Sequence, residues 1–239
     1  MRKFKIFKIS CLLFAVLVAC DKKDDELKVS TDVVFLKKKV SDEVRYGVSY
    51  YLQANQGLNE VTVTLPLGLK TVNLKQNEAN TYLFEYEPNS GDFTNIAPEV
   101  GDYLFEVVSK KGERIEVTDE QRFNDLSFAV VESMDFDNTN LWCHVKWEKV
   151  SAADAYAVFL LKLSGEIVFS SFTIPASANS EYKISDFHIT GAWSEKPQKD
   201  KMYILRIKAI KYDAAIGKDD FYNIQEISES DREIIWQLE

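Results

Sequence analysis

The residues of this 239-residue chain best suited to covalent or metal chemistry are His144, His188 and Cys143. A catalytic nucleophile needs a base beside it. Cys143 and His144 are neighbours in a run with a two-residue period, so they point to opposite faces of a strand and make a poor pair. Cys143 alternates with Leu141, Val145 and Trp147, which predicts a small buried hydrophobe rather than a thiolate. Zinc needs three or four ligands, and two histidines with one buried cysteine do not suggest such a site. Neither a Gly-x-Ser-x-Gly elbow nor a glycine-rich phosphate cradle occurs. No catalytic residue, metal site or cofactor is expected, and the chain is not expected to be an enzyme. The 38 acidic residues keep a glycosidase within the inventory, but that chemistry needs two carboxyls facing each other in a cleft. Asp135-Phe136-Asp137-Asn138-Thr139-Asn140 sets oxygens at alternate positions, as calcium prefers. It lacks the sixth-position Gly and twelfth-position Glu of an EF-hand loop, and a plain turn between strands explains it equally well.

Aromatic side chains are the more informative group. Trp142 is out of phase with the inward set and should face outward beside His144. Trp193 sits in the polar stretch Gly191-Ala192-Trp193-Ser194-Glu195-Lys196-Pro197, and Phe221-Tyr222 closes the loop from Asp213 to Asn223. Rings on loops of a rigid scaffold stack on sugars or anchor a protein partner. Trp193, Phe221 and Tyr222 are therefore the candidate ligand-binding residues, toward a glycan or a protein. The competing reading has the same rings capping the end of the fold or packing at a seam between domains.

Charge narrows the partner. The chain has 29 basic and 38 acidic residues, a net charge of -9. Without residues 1–19, which carry four basic and no acidic side chains, the charge is -13. A body this acidic repels phosphate backbones, and no basic stripe interleaved with aromatics appears, so no nucleic-acid partner is expected. Residues 1–19 form an address rather than part of a domain. Arg2, Lys3, Lys5 and Lys8 precede an uncharged run of 11 residues, Ile9 to Ala19, too short for a membrane span of about 20 residues and suited to a secretory signal. The run ends in Leu17-Val18-Ala19-Cys20, which resembles a lipoprotein lipobox. That resemblance implies cleavage before Cys20 and acylation of its thiol and amine, a multi-chain anchor that holds firmly in a bilayer. Asp21-Lys22-Lys23-Asp24-Asp25-Glu26 is similar to the export signal of Bacteroidetes surface lipoproteins; a solvated tether would have the same composition. The implied location is the outer membrane, lipid-anchored and exposed at the cell surface, with a periplasm-facing anchor as the other reading.

The elements that must position any site are strands. Apolar types make up 46% of the chain, and beyond Leu27 they alternate with almost no 3.6-residue period. Val44, Tyr46, Val48, Tyr50 and Leu52 form one run, Val61, Val63 and Leu65 the next, then Tyr82, Phe84 and Tyr86, then Tyr103, Phe105 and Val107, then Ile115 and Val117. Even alternation without crossover helices predicts antiparallel sandwiches. Glu99-Val100-Gly101-Asp102-Tyr103-Leu104-Phe105 resembles the tyrosine corner of immunoglobulin domains, with Phe105 where the cysteine would stand; the resemblance implies a Tyr103 hydroxyl bonded back to the turn.

The second half resembles a fibronectin type III domain in four places. These are Trp147 on strand B, Ala153-Asp154-Ala155-Tyr156-Ala157-Val158 opening strand C, Tyr182 to Phe187 as strand E, and Tyr203 to Ile210 as strand F. Glu233 to Leu238 is expected as the last strand. The stretch from His188 to Met202 replaces the family's short E–F turn, and Asp213 to Asn223 makes a long F–G loop. The expected organisation is all-β: a signal peptide over 1–19, a lipidated Cys20 and acidic tether over 20–27, an immunoglobulin-like sandwich over 28–119 and a fibronectin type III-like sandwich over 126–239. The function implied is non-catalytic adhesion, glycan capture or surface-complex assembly, with a surface glycan hydrolase or its accessory subunit, or a structural spacer, as rivals. Replacing Cys20 with Ala should leave the protein uncleaved or released from membranes, read by detergent partitioning and mass; unchanged partitioning and mass would refute lipidation.

Overall fold

The computed structural model describes residues 26–239 apart from 41, 69, 123–124, 186–190, 214–222 and 239. The strands of the first half are β1 (Val29–Val40), β2 (Glu43–Ala54), β3 (Leu58–Thr64), β4 (Thr71–Asn73), β5 (Lys75–Gln76), β6 (Leu83–Tyr86), β7 (Gly101–Ser109) and β8 (Arg114–Gln121). Those of the second are β9 (Val131–Asp137), β10 (Trp142–Trp147), β11 (Ala155–Leu161), β12 (Ile167–Ser171), β13 (Ile174–Pro175), β14 (Glu181–Ser185), β15 (Gly191–Trp193), β16 (Met202–Tyr212) and β17 (Ile224–Ile235). The chain is all-β, built as two sandwiches whose strand pairs, among the described residues, are antiparallel with one exception.

In each half a sheet in the order of immunoglobulin-type strands A-B-E faces one in the order C′-C-F-G. In the first half β1-β2-β6 faces β4-β3-β7-β8, and in the second β9-β10-β14 faces β12-β11-β16-β17. The first core joins Val33, Phe35, Tyr50, Leu52 and Phe84 to Val61, Val63, Tyr103, Phe105 and Val107 from the opposing sheet. The Tyr103 hydroxyl donates to the Glu99 carbonyl at 2.7 Å, and its ring meets Phe35 edge-on at 6.3 Å. The second core is set by Cys143, Val145 and Trp147 against Tyr156, Val158, Leu160, Leu205 and Ile207. Trp147 meets Tyr156 edge-on at 5.2 Å, and burying so large a ring contributes about 2–3 kcal/mol. The expected inward set is one residue too long: Leu141 precedes β10, is 39% exposed and has a left-handed φ of 52°. The last strand also begins nine residues earlier than expected, at Ile224, and stops at Ile235.

The exceptional pair is β1 with β17, which run parallel from Phe35↔Glu226 to Lys38↔Glu229. This pairing joins the A-B-E sheet of the first half to the C′-C-F-G sheet of the second. The result is one continuous sheet in the order β15-β12-β11-β16-β17-β1-β2-β6-β5. On the core side of that seam the chain between the halves is held by buried polar groups. Glu226 accepts the Leu126 amide at 2.9 Å, Ser228 donates to the Ser127 carbonyl at 2.7 Å, and Lys37 donates to the Leu126 carbonyl at 3.2 Å and to the Asp125 carboxylate. Buried backbone groups outside a ladder must find such partners.

Before β17 reaches β1, the edge of β1 at Val33 is satisfied by side chains of β8. The Gln121 amide donates to the Val33 carbonyl, and the Asp119 carboxylate accepts a backbone hydrogen bond from Val33. Burial, with a further push from Asp213, outweighs that bond and raises the Asp119 carboxyl from 3.8 to about 6. The folded state therefore holds this proton more tightly than the unfolded chain. Its contribution favours folding below about pH 4 and is lost as pH rises toward 6, by up to about 3 kcal/mol at about 1.36 kcal/mol per unit. Asp119→Asn should raise the unfolding free energy by about 1–3 kcal/mol at pH 7 and leave it unchanged below pH 4, measured by urea denaturation. Equal midpoints at pH 7 would show that Asp119 ionises as an ordinary surface carboxylate.

Candidate functional site

Fusing the two sheets creates a broad face that neither small sheet covers. Because strand side chains alternate, Val33 and Phe35 serve the first core while Val34, Leu36 and Lys38 emerge on the other side of β1. Ser49 and Tyr51 of β2, Arg206 and Lys208 of β16, and Ile227 and Glu229 of β17 share that side, and together they line a groove of about 520 Å³ over the seam. Val34, Leu36, Ile224 and Ile227 form its floor; Leu83, Glu87, Pro88 and Phe93 complete the wall on the first half. The volume lies within the range of small-molecule sites, and so does the mixture of apolar floor and few polar groups.

One wall depends on a glycine. Gly47 lies in the middle of β2 on the groove side, where a Cβ would stand 3.0 Å from Phe93 Cε1 and 3.1 Å from Pro88 Cγ. Its bare backbone lets the segment from Pro88 to Thr94 lie directly on the sheet. That segment is fastened beyond Phe93 by the reciprocal backbone bonds of Tyr46 and Thr94, at 2.7 and 2.9 Å. Its short 3₁₀ turn, Ser90–Asp92, is closed by the Asp92 carboxylate accepting the Asn89 amide at 2.8 Å. The Tyr51 hydroxyl donates to Glu87 at 2.9 Å, tying β2 to the same segment.

The charged groups in the groove are paired unevenly. Arg206 grips Asp231 through two bonds of 2.7 Å and stands 3.5 Å from Glu229. Lys208 pairs with Glu229 at 2.8 Å. Lys38 lies opposite Glu229 in the ladder, yet its ammonium rests over the Phe93 ring, 3.4 Å from the centroid. Burial lowers the Lys38 pKa; Glu229 and Asp231 pull it back, and Arg206 adds to the depression.

Of the residues singled out in the sequence, Trp193, Trp142, Cys143, His144 and Asp137 do not line the groove. Trp193 takes the covering position: its ring packs on Phe169 at 4.6 Å and on Trp236 at 6.2 Å, and its Nε1 donates to the Ser185 carbonyl at 2.9 Å. The segment that carries it adds β15 to the edge of β12. Cys20, His188, Phe221 and Tyr222 lie outside the described residues. Trp142 does face outward, edge-on to His144 at 5.5 Å and under Lys183 at 4.5 Å. His144 turns to Glu181 at 3.1 Å, away from Cys143, which is fully buried and whose thiol burial pushes up to about 12. Asp137 spends its carboxylate on the turn itself, accepting the amides of Thr139 at 2.8 Å and Asn140 at 2.9 Å. The raised carboxyl of Asp119 stands outside the groove, bonded to the backbone of β1.

The groove residues were missed because those on β2 and β16 occupy the positions that alternation assigns to solvent, while β1 and the start of β17 do not alternate at all. The only cue is the run Val33-Val34-Phe35-Leu36 followed by Lys37-Lys38-Lys39, an apolar stretch of the kind that marks a strand covered on both faces.

No family model matches this chain, and no curated protein matches it. Among solved structures it is similar to a segment of two fibronectin type III domains from chicken tenascin, at 13% identity over 88% of this chain and 97% of that one, with a TM-score of 0.29. It is similar also to a tetra-tandem repeat in the extending region of a large adhesion protein, at 11% identity over 87% and 50% of the two chains, TM-score 0.27. A third is the BSP domain of a biofilm associated protein, at 15% identity over 88% and 29%, TM-score 0.25. The match thus spans half of the second chain and under a third of the third. The sandwich assignment itself rests on the strand ladders.

Proposed function

We infer that this chain is a non-catalytic, lipid-anchored surface protein that captures a glycan in the groove over the β1–β17 seam. The observation that carries the reading is the groove's composition: apolar floor residues and the rings of Tyr51 and Phe93 are interspersed with Asp32, Ser49, Arg206 and Glu229 within about 520 Å³. A sugar ring presents both an apolar C–H face, which stacks on side chains of this kind, and a rim of hydroxyls, which bond to fixed charged groups. A standard protein partner would instead take about 800 Å² of surface on each side. The lipobox at Cys20 supplies the anchor, and the acidic stretch after it supports display at the surface.

The mature chain should be retained on immobilised oligosaccharides, and Phe93→Ala or Ile227→Ser should each reduce retention about tenfold or more while the melting temperature stays within a few degrees. Retention that is unchanged in both variants, with both folded, would refute the groove as the binding site.

A further inference from the structure

The groove also indicates which saccharides it takes. Three cations, Lys38, Arg206 and Lys208, line the groove with three carboxylates, Asp32, Glu87 and Glu229, and a fourth carboxylate, Asp231, pairs with Arg206. Each carboxylate is engaged: Asp32 accepts the Ile224 amide at 3.3 Å, Glu87 accepts the Tyr51 hydroxyl at 2.9 Å, Asp231 takes the Arg206 fork, and Glu229 takes Lys208 and the remaining Arg206 nitrogen. Lys38 makes no ion pair among the described residues, and its ammonium is held over the Phe93 ring at the groove wall. We propose that Lys38 receives the carboxylate of an acidic, uronate-type sugar whose ring lies against Phe93. The inference rests on the glycan reading above and narrows it.

A half-buried ammonium with a ring as its neighbour has lost part of its hydration, and although Glu229 and Asp231 act on it from a distance, no carboxylate among the described residues forms an ion pair with it. A ligand carboxylate restores an opposite charge at hydrogen-bond distance, a contact worth more than a neutral hydrogen bond in a partly desolvated site. The ring beneath fixes the ammonium in place, and the floor of Leu36 and Ile227 accepts the apolar face of the sugar. The selectivity arises although the mature chain carries an excess of acidic residues, because Glu229 and Asp231, the carboxylates that act on Lys38, are already bonded to Arg206 and Lys208.

The test is calorimetric titration of the mature chain with oligogalacturonate and with the same oligomer fully methyl-esterified, which keeps the rings and removes the charge. The acid form should bind about tenfold or more tightly than the ester. Lys38→Met, which keeps an unbranched side chain of similar length, should abolish that preference. Equal binding of the two forms, or a preference that survives in Lys38→Met, would overturn the inference while leaving the glycan reading intact. A pentaglutamate peptide bound more tightly than either oligomer would overturn it in favour of an acidic peptide. Binding of neither oligomer would also overturn it, and the retention assay with Phe93→Ala then judges the broader reading on its own.

Discussion

A parallel pairing between the first strand and the last, β1 with β17, makes two sandwiches one structure. Each half closes its own core between two sheets, and nothing in either core requires the other. The ladder from Phe35↔Glu226 to Lys38↔Glu229 converts that independence into a shared sheet. Its register is specified by chemistry as well as by hydrogen bonds. A slip of one residue would turn Glu226 and Ser228 away from the Leu126 amide and Ser127 carbonyl they satisfy, and would carry Ile227 from the groove floor into the polar seam. A buried carboxylate and ammonium are costly ways to add stability. At this position they tie the connecting chain to the one arrangement that accepts its backbone.

The groove is a consequence of the same pairing. A lone sandwich presents the outside of its sheets as convex, solvated surfaces. Joining strand A of one half to strand G of the next places two such outer faces side by side, with the twist of the sheet between them. The segment from Pro88 to Thr94 then closes one side, because Gly47 leaves space for Phe93. Arg206 and Lys208 on the other side belong to the opposite half. The site is therefore built from residues far apart in the chain, and it exists only while the seam holds.

What was legible in the sequence follows how completely one face of a strand is buried. The alternation in β2, β7, β10 and β16 identified Tyr50, Leu52, Tyr103, Phe105, Cys143, Trp147, Leu205 and Ile207 as core, and all are buried. The tyrosine corner and the strand-B tryptophan were visible for the same reason: each is a local pattern whose partners lie within a few residues or on a neighbouring strand. β1 was not visible, because Val33, Val34 and Phe35 are all buried and its period of two disappears. The early part of β17 was hidden for a related cause, since Gln225, Glu226 and Ser228 are buried polar residues that read as loop. Trp193 looked like a displayed ring in a polar stretch; its position against Phe169 and Trp236 depends on β15 pairing with β12, a contact between segments that no spacing announces.

The central claim is that the seam couples the two halves energetically, and differential scanning calorimetry of residues 26–239 measures that coupling. The account predicts one unfolding transition, with calorimetric and van't Hoff enthalpies in a ratio near one. Two resolved transitions, or a ratio near two, would show that the sandwiches melt independently and that the β1–β17 ladder contributes little.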